Sequence, residues 1–189
     1  MSRLNAFVTL VLLACMNIST AKADQRRTPE LVREFTSPSG EYRLLITGHD
    51  DWRNPRPSAE LSRLAKRAQP INDAWKIDEL PHRLGPAAAL VFDDGTVVLI
   101  DEWVRTPSPI SLMVIDKQGI IKATHSFDDL AKVSGKSPAQ MVESAKQGAW
   151  QSSPPIANHD AMSIRFFTDN IPILLNVKTG KISTVPSSD

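Results

Sequence analysis

The sequence predicts a mainly β chain: an antiparallel meander of two to three repeated units, with a small helical insertion near 126–147. Three observations predict it. A phrase is written twice, FTSPSGEYRLLITGHDDW then RNPRPS from Phe35, and FDDGTVVLIDEW then VRTPSP from Phe92. Short apolar runs bounded by turn residues recur along the rest of the chain, the pattern of antiparallel strands. Residues 126–147 depart from that pattern with capped, helix-spaced segments.

Each element follows from local chemistry. Residues 31–36 and 41–47 flank Ser37-Pro38-Ser39-Gly40, where Pro38 presets φ and Gly40 accepts the left-handed conformation that closes a turn. Residues 58–69 set two rules in conflict. Ser58 can cap a helix, Leu61, Leu64 and Ala68 fall at helical spacing, and Pro70 can stop it. The repeat argues for a strand, because 59–64 follows its Pro-rich corner as the strand-like 110–115 follows the other. Packing against a neighbouring strand overrides propensity, and a strand is the expectation. Residues 88–92 and 96–100 flank Asp93-Asp94-Gly95, and 111–116 and 120–125 flank Lys117-Gln118-Gly119. Ser137-Pro138-Ala139-Gln140 has the capping-box form with Pro at the first helical position, followed by Met141, Val142 and Ala145. Ser126-Phe127-Asp128-Asp129 is a second start of the same kind. Residues 163–168 and 171–177 flank Asp169-Asn170, and Thr179-Gly180 leads to 182–185.

Residues 1–23 read as a secretory signal peptide. Arg3 precedes the apolar stretch 6–14, and Ala21-Lys22-Ala23 forms an A-x-A cleavage site. The apolar stretch is about half of the ~20 residues a membrane span needs. An alternative is a lipoprotein signal ending before Cys15, where Leu12-Leu13-Ala14-Cys15 would leave Cys15 lipidated and the protein membrane-anchored. Otherwise the expected address is periplasmic or extracellular. Cys15 is the chain's one cysteine, so export brings no internal disulfide and stability must come from an apolar core. Residues 24–189 form one domain, long enough to bury about 70% of the surface of the unfolded chain. The leader removes Arg3 and Lys22 and no acid, leaving the remainder near neutrality, without the basic face that nucleic acid requires.

The succession of hairpin, acidic pair with Trp, Pro-rich corner, strand, Gly-closed turn and strand resembles the blades of β-propeller proteins. The phrase running from Asp93-Asp94-Gly95 through an apolar run to Asp101-Glu102-Trp103 also resembles one in uncharacterised exported bacterial proteins. The resemblance covers about 31–125 and 162–185. It implies a fold style, an incomplete propeller or a sandwich, and supplies no catalytic residues. The chain is too short for six or seven blades, so oligomerisation is one way to complete the sheet stack.

Candidate binding residues lie where the repeated phrase ends: Asp50, Asp51 and Trp52 in one copy, Asp101, Glu102 and Trp103 in the other. Paired carboxylates suit a calcium ion or acid–base cleavage of a glycoside. Neighbours on a strand point to opposite faces, however, which separates two adjacent acids. The tryptophans Trp52, Trp75, Trp103 and Trp150 are expected in the core rather than on a sugar-stacking platform. His49, His82, His125 and His159 are too scattered for zinc spacing, and no metal or other cofactor is expected. No G-x-S-x-G elbow or phosphate-cradling glycine loop is present.

The expected function is therefore a non-catalytic exported module that binds a protein or a cell-envelope polymer through its sheet rim. A carboxylate-dependent hydrolase of envelope sugars is the first alternative, using Asp101 or Glu102 with a carboxylate of the 50–51 pair. A calcium-stabilised structural protein is the second.

Overall fold

The structure, a computed structural model, describes residues 31–48, 56–64, 70–82, 85–101, 108–144 and 150–185. The expected leader 1–23, with Cys15 and both candidate cleavage sites, lies outside them. Among the described residues, twelve strands form three four-stranded antiparallel sheets, each built from consecutive strands in chain order. Sheet 1 holds β1 (Val32–Thr36), β2 (Tyr42–Thr47), β3 (Ser58–Leu64) and β4 (Pro70–Ile77). Sheet 2 holds β5 (Ala88–Val91), β6 (Val97–Ile100), β7 (Leu112–Ile115) and β8 (Ile121–His125). Helices α1 (Phe127–Ser134) and α2 (Pro138–Ser144) follow, then sheet 3: β9 (Ser153–Asn158), β10 (Ser163–Thr168), β11 (Ile171–Asn176) and β12 (Lys181–Thr184). The expected mainly β meander is observed, with three blade-like units and a short helical interruption. No closed barrel forms among the described residues.

The sheets stack face to face in chain order. Strands β6 and β7 read Val-Val-Leu-Ile and Leu-Met-Val-Ile without polar alternation, because both faces of sheet 2 are covered. Val97, Leu99, Met113 and Ile115 pack with Leu44, Ile46 and Leu61 of sheet 1. Val98, Ile100, Leu112 and Val114 pack with Ile164, Phe166, Ile173 and Leu175 of sheet 3. One strand pair thus belongs to two cores. Each fully buried side chain contributes about 1.5–3 kcal/mol against the entropy of ordering the chain.

Residues 58–64 form a strand. β3 pairs with β2 from Tyr42↔Arg63 to Thr47↔Ser58, burying Ala59 and Leu61 in the core, so burial decides the conflict between repeat and helical spacing. Residues 65–69 lie outside the described residues, and Pro70 opens β4, an edge strand.

Turn contacts set the spacing between sheets. Ser39 N donates to Asp93 Oδ1 at 2.9 Å, joining the β1–β2 turn to the β5–β6 turn. That bond, with a second from the Ser39 hydroxyl, holds the Asp93 carboxyl below its ordinary range. Phe92 meets the His159 ring at 4.8 Å, joining the β5–β6 turn to the β9–β10 turn. Gly180, at φ 70°, places its α-carbon against Ala123 on β8; a β-carbon there would lie 2.5 Å from the Ala123 methyl.

Helix α1 begins with a complete capping box. Ser126 Oγ accepts from Asp129 N, and the Asp129 carboxylate accepts from Ser126 N at 2.8 Å, which lowers the Asp129 pKa. Gly135 closes the helix in the left-handed conformation. Phe127, Leu130 and Ala131 enter the core between sheets 2 and 3. Helix α2 is capped as the sequence predicts, Ser137 N donating to Gln140 Oε1 at 2.8 Å.

The repeated letters do not all occupy equivalent positions. Ser37 N donates to Tyr42 O and Phe92 N to Thr96 O, each closing the first turn of its sheet. Phe92 therefore corresponds to Ser37, and Phe35, which pairs with Leu44, corresponds to Leu90, which pairs with Val98.

Candidate functional site: the corner rim

The three first turns, next to Ser39, Asp93 and His159, lie along one rim of the stack. Strands β2, β6 and β10 run from it to the opposite rim, where the corners begin. At this corner rim the chain passes from β2 to β3 through 48–57 and from β6 to β7 through 101–111. In sheet 3 the same step is the tight turn Asp169-Asn170, with φ of 47° and 64°. The first two connections carry the sequence-predicted site.

Asp101 is the one predicted site residue within the described residues. It is 8% exposed, set below the surface of the rim. Its N–H donates to Ser111 O at 2.9 Å, extending the β6–β7 ladder by one pair. Its carbonyl accepts from Trp150 Nε1 at 2.6 Å. The Trp150 ring is 1% exposed and lies 5.4 Å from Phe166, centroid to centroid. The residue that follows β6 is thus anchored from both sides before the corner leaves the sheet. Asp50, Asp51, Trp52, Glu102 and Trp103 lie outside the described residues. The carboxyl separation on which glycoside chemistry would turn therefore lies outside them too.

Trp75 and Trp150 are both core residues, as their type suggests. The described histidines stay apart: His125 Nε2 contacts Gly180 O at 2.6 Å, while His159 meets Phe92. Among the described residues no three His, Cys, Asp or Glu side chains gather as a metal site.

The sequence carried no signal for the niche around His82. Leu80 N donates to Pro57 O at 2.6 Å, fastening the chain after β4 to the corner before β3. Arg33 reaches across from β1, its Nη1 donating to the carbonyls of Pro86 and Ala87. His82 is buried beside this guanidinium at 2% exposure, and neither ring nitrogen has a hydrogen-bond partner among the described residues. Burial first, then the charge of Arg33, lowers its pKa from 6.5 to about 4. The neutral ring is the form that fits.

A pH dependence follows. The unfolded chain binds a proton at His82 near pH 6.5 and the folded chain only near 4, so this contribution is complete above 6.5 and is lost as pH falls toward 4. The loss is on the order of 3 kcal/mol. Urea midpoints measured across that window should fall for the native sequence and stay nearly level for His82→Phe. Equal slopes in both proteins would show that His82 is not the group responsible.

Among the described residues no helix is long and apolar enough to cross a membrane. No family model, curated protein or solved structure matches this chain.

Proposed function

We propose that this is an exported, non-catalytic module that binds a protein or a cell-envelope polymer through its corner rim. One observation carries the reading: the two connections bearing an acidic pair and a Trp leave the same rim of two sheets that share a core. Long connections held by a rigid frame are where binding residues concentrate, whereas the third sheet turns at that rim in two residues. The frame beneath them is fastened at Asp101, Trp150, Pro57 and Leu80.

Retention of the purified protein on washed envelope material, in separate sacculus and membrane-protein fractions, tests the reading. Trp103→Ala with Glu102→Ala should weaken retention about tenfold, equivalent to about 1.4 kcal/mol. Lys178→Ala, in the β11–β12 turn away from the corner rim, should leave it unchanged. Equal retention of all three proteins would remove the corner rim as the binding surface.

A further inference from the structure

We propose that two copies of this chain stack head to tail, sheet 3 of each against sheet 1 of the other, closing a ring of six sheets. The argument begins with register. Sheet 1 turns Leu44 and Ile46 toward sheet 2, and sheet 2 turns the equivalent Val98 and Ile100 toward sheet 3. Counting from the first turns, the positions that follow in sheet 3 are Arg165 and Phe167. Ile164 and Phe166 point into the core, so Arg165 and Phe167 point away from it.

The half of this outer face nearer the corner rim is largely apolar. Phe167 pairs with Pro172, and Arg165 is flanked in register by Ile156 and Leu174. Ile156 is 56% exposed. A terminal repeat exposed to water needs a polar outer face; in sheet 3 the polar row Asn158, Ser163, Asn176 and Lys181 covers the first-turn end, while the half around Arg165 toward the corner rim does not meet that need.

The outer face of sheet 1 supplies the complementary chemistry. Glu34, Leu45, Glu60 and Lys76 lie side by side across its four strands. Leu45 occupies the position of Leu99 in sheet 2 and Phe166 in sheet 3, the residues with which those sheets meet their preceding neighbour. The row Glu34, Leu45, Glu60 and Lys76 on one copy thus faces the row Ile156, Arg165, Leu174 and Ser183 on the other. A shift of one place sets Arg165 against a carboxylate and an aliphatic side chain against Leu45. The occupant is a second copy because this chain carries both the face that a following sheet would cover and the face that a preceding sheet would cover.

Closure decides the number. A head-to-tail interface either closes or grows into a filament. Rings of four-stranded sheets commonly hold four to eight members, and six is the one multiple of three in that range.

Sedimentation velocity and light scattering on the purified protein test this. The expected result is a species of two chains that does not grow with concentration. Arg165→Glu and Glu60→Arg should each raise the dimer dissociation constant tenfold or more, and the double variant should recover most of the affinity. Unchanged circular dichroism of the dissociated single variants would show that the fold persists. A monomer at all concentrations, an assembly that grows without limit, or a dimer indifferent to both charge reversals would each overturn the proposal. None of these outcomes depends on what the corner rim binds.

Discussion

Replacing Trp150 by alanine should cost about 3–5 kcal/mol, the usual loss for a large aromatic in a packed core. Much of the stability of a domain this size lies within that amount. Trp150 fills the space between sheets 2 and 3 beside Phe166 and holds the Asp101 carbonyl through its indole N–H. Two effects are therefore removed together, and Trp150→Phe separates them. It keeps the six-membered part of the ring and loses the hydrogen bond together with the pyrrole edge, with an expected cost of about 1–3 kcal/mol. Urea unfolding with an unchanged m-value measures both. If alanine costs no more than phenylalanine, the ring is not a packing element and the junction of sheets 2 and 3 has been misjudged.

Gly180→Ala should be the most damaging glycine substitution in the described turns. Its left-handed backbone disfavours any β-carbon by about 1–2 kcal/mol. The new methyl would also lie 2.5 Å from that of Ala123, an overlap on the scale of the ~1–3 kcal/mol that overpacking costs. Gly40 isolates the first effect, since its φ is 71° and nothing lies within 4 Å of the position a β-carbon would take. Gly40→Ala should therefore lose only the backbone part. Adding Ala123→Gly to Gly180→Ala should recover about 1–2 kcal/mol relative to the sum of the single changes. Simple additivity would mean that β8 and the β11–β12 turn do not touch, and that sheets 2 and 3 are not spaced by this contact.

Where a strand was legible in the sequence, a turn residue marked its end. Gly40, Gly95 and Gly119 all take positive φ at the expected turns, and Asp169-Asn170 forms the expected tight connection. The Ser126 start, of the same kind as the Ser137 start, is a full capping box because Asp129 reaches back to the Ser126 N–H. Two strands escaped notice. β4 opens on Pro70 and passes through Asn72-Asp73, letters that read as a turn; β9 contains Pro154 and Pro155. Both are edge strands, where a missing N–H can face away from the sheet and proline is tolerated. Neither has the apolar run that pattern reading relies on.

The repeated phrase pointed to real repetition while misplacing its own letters. Phe35 and Phe92 match as text, yet the turn hydrogen bonds set Phe92 against Ser37. Strand pairing fixes equivalence through the backbone, and the first turns differ in length, which a letter-by-letter match absorbs without notice. Of the candidate site, only Asp101 falls among the described residues. His82 was not legible, because a single histidine in a loop has no period, and its burial depends on Arg33 arriving from another strand.

The central claim is that β6 and β7 are shared between two cores, so that sheet 2 is the middle layer of a three-sheet stack. Methyl–methyl and methyl–aromatic nuclear Overhauser effects test it most directly. Leu99 and Met113 should show contacts to Leu44, Ile46 and Leu61 of sheet 1, and Val98 and Val114 to Phe166 and Ile173 of sheet 3. Contacts from both sets to the same neighbouring sheet, or from one set to solvent alone, would contradict it.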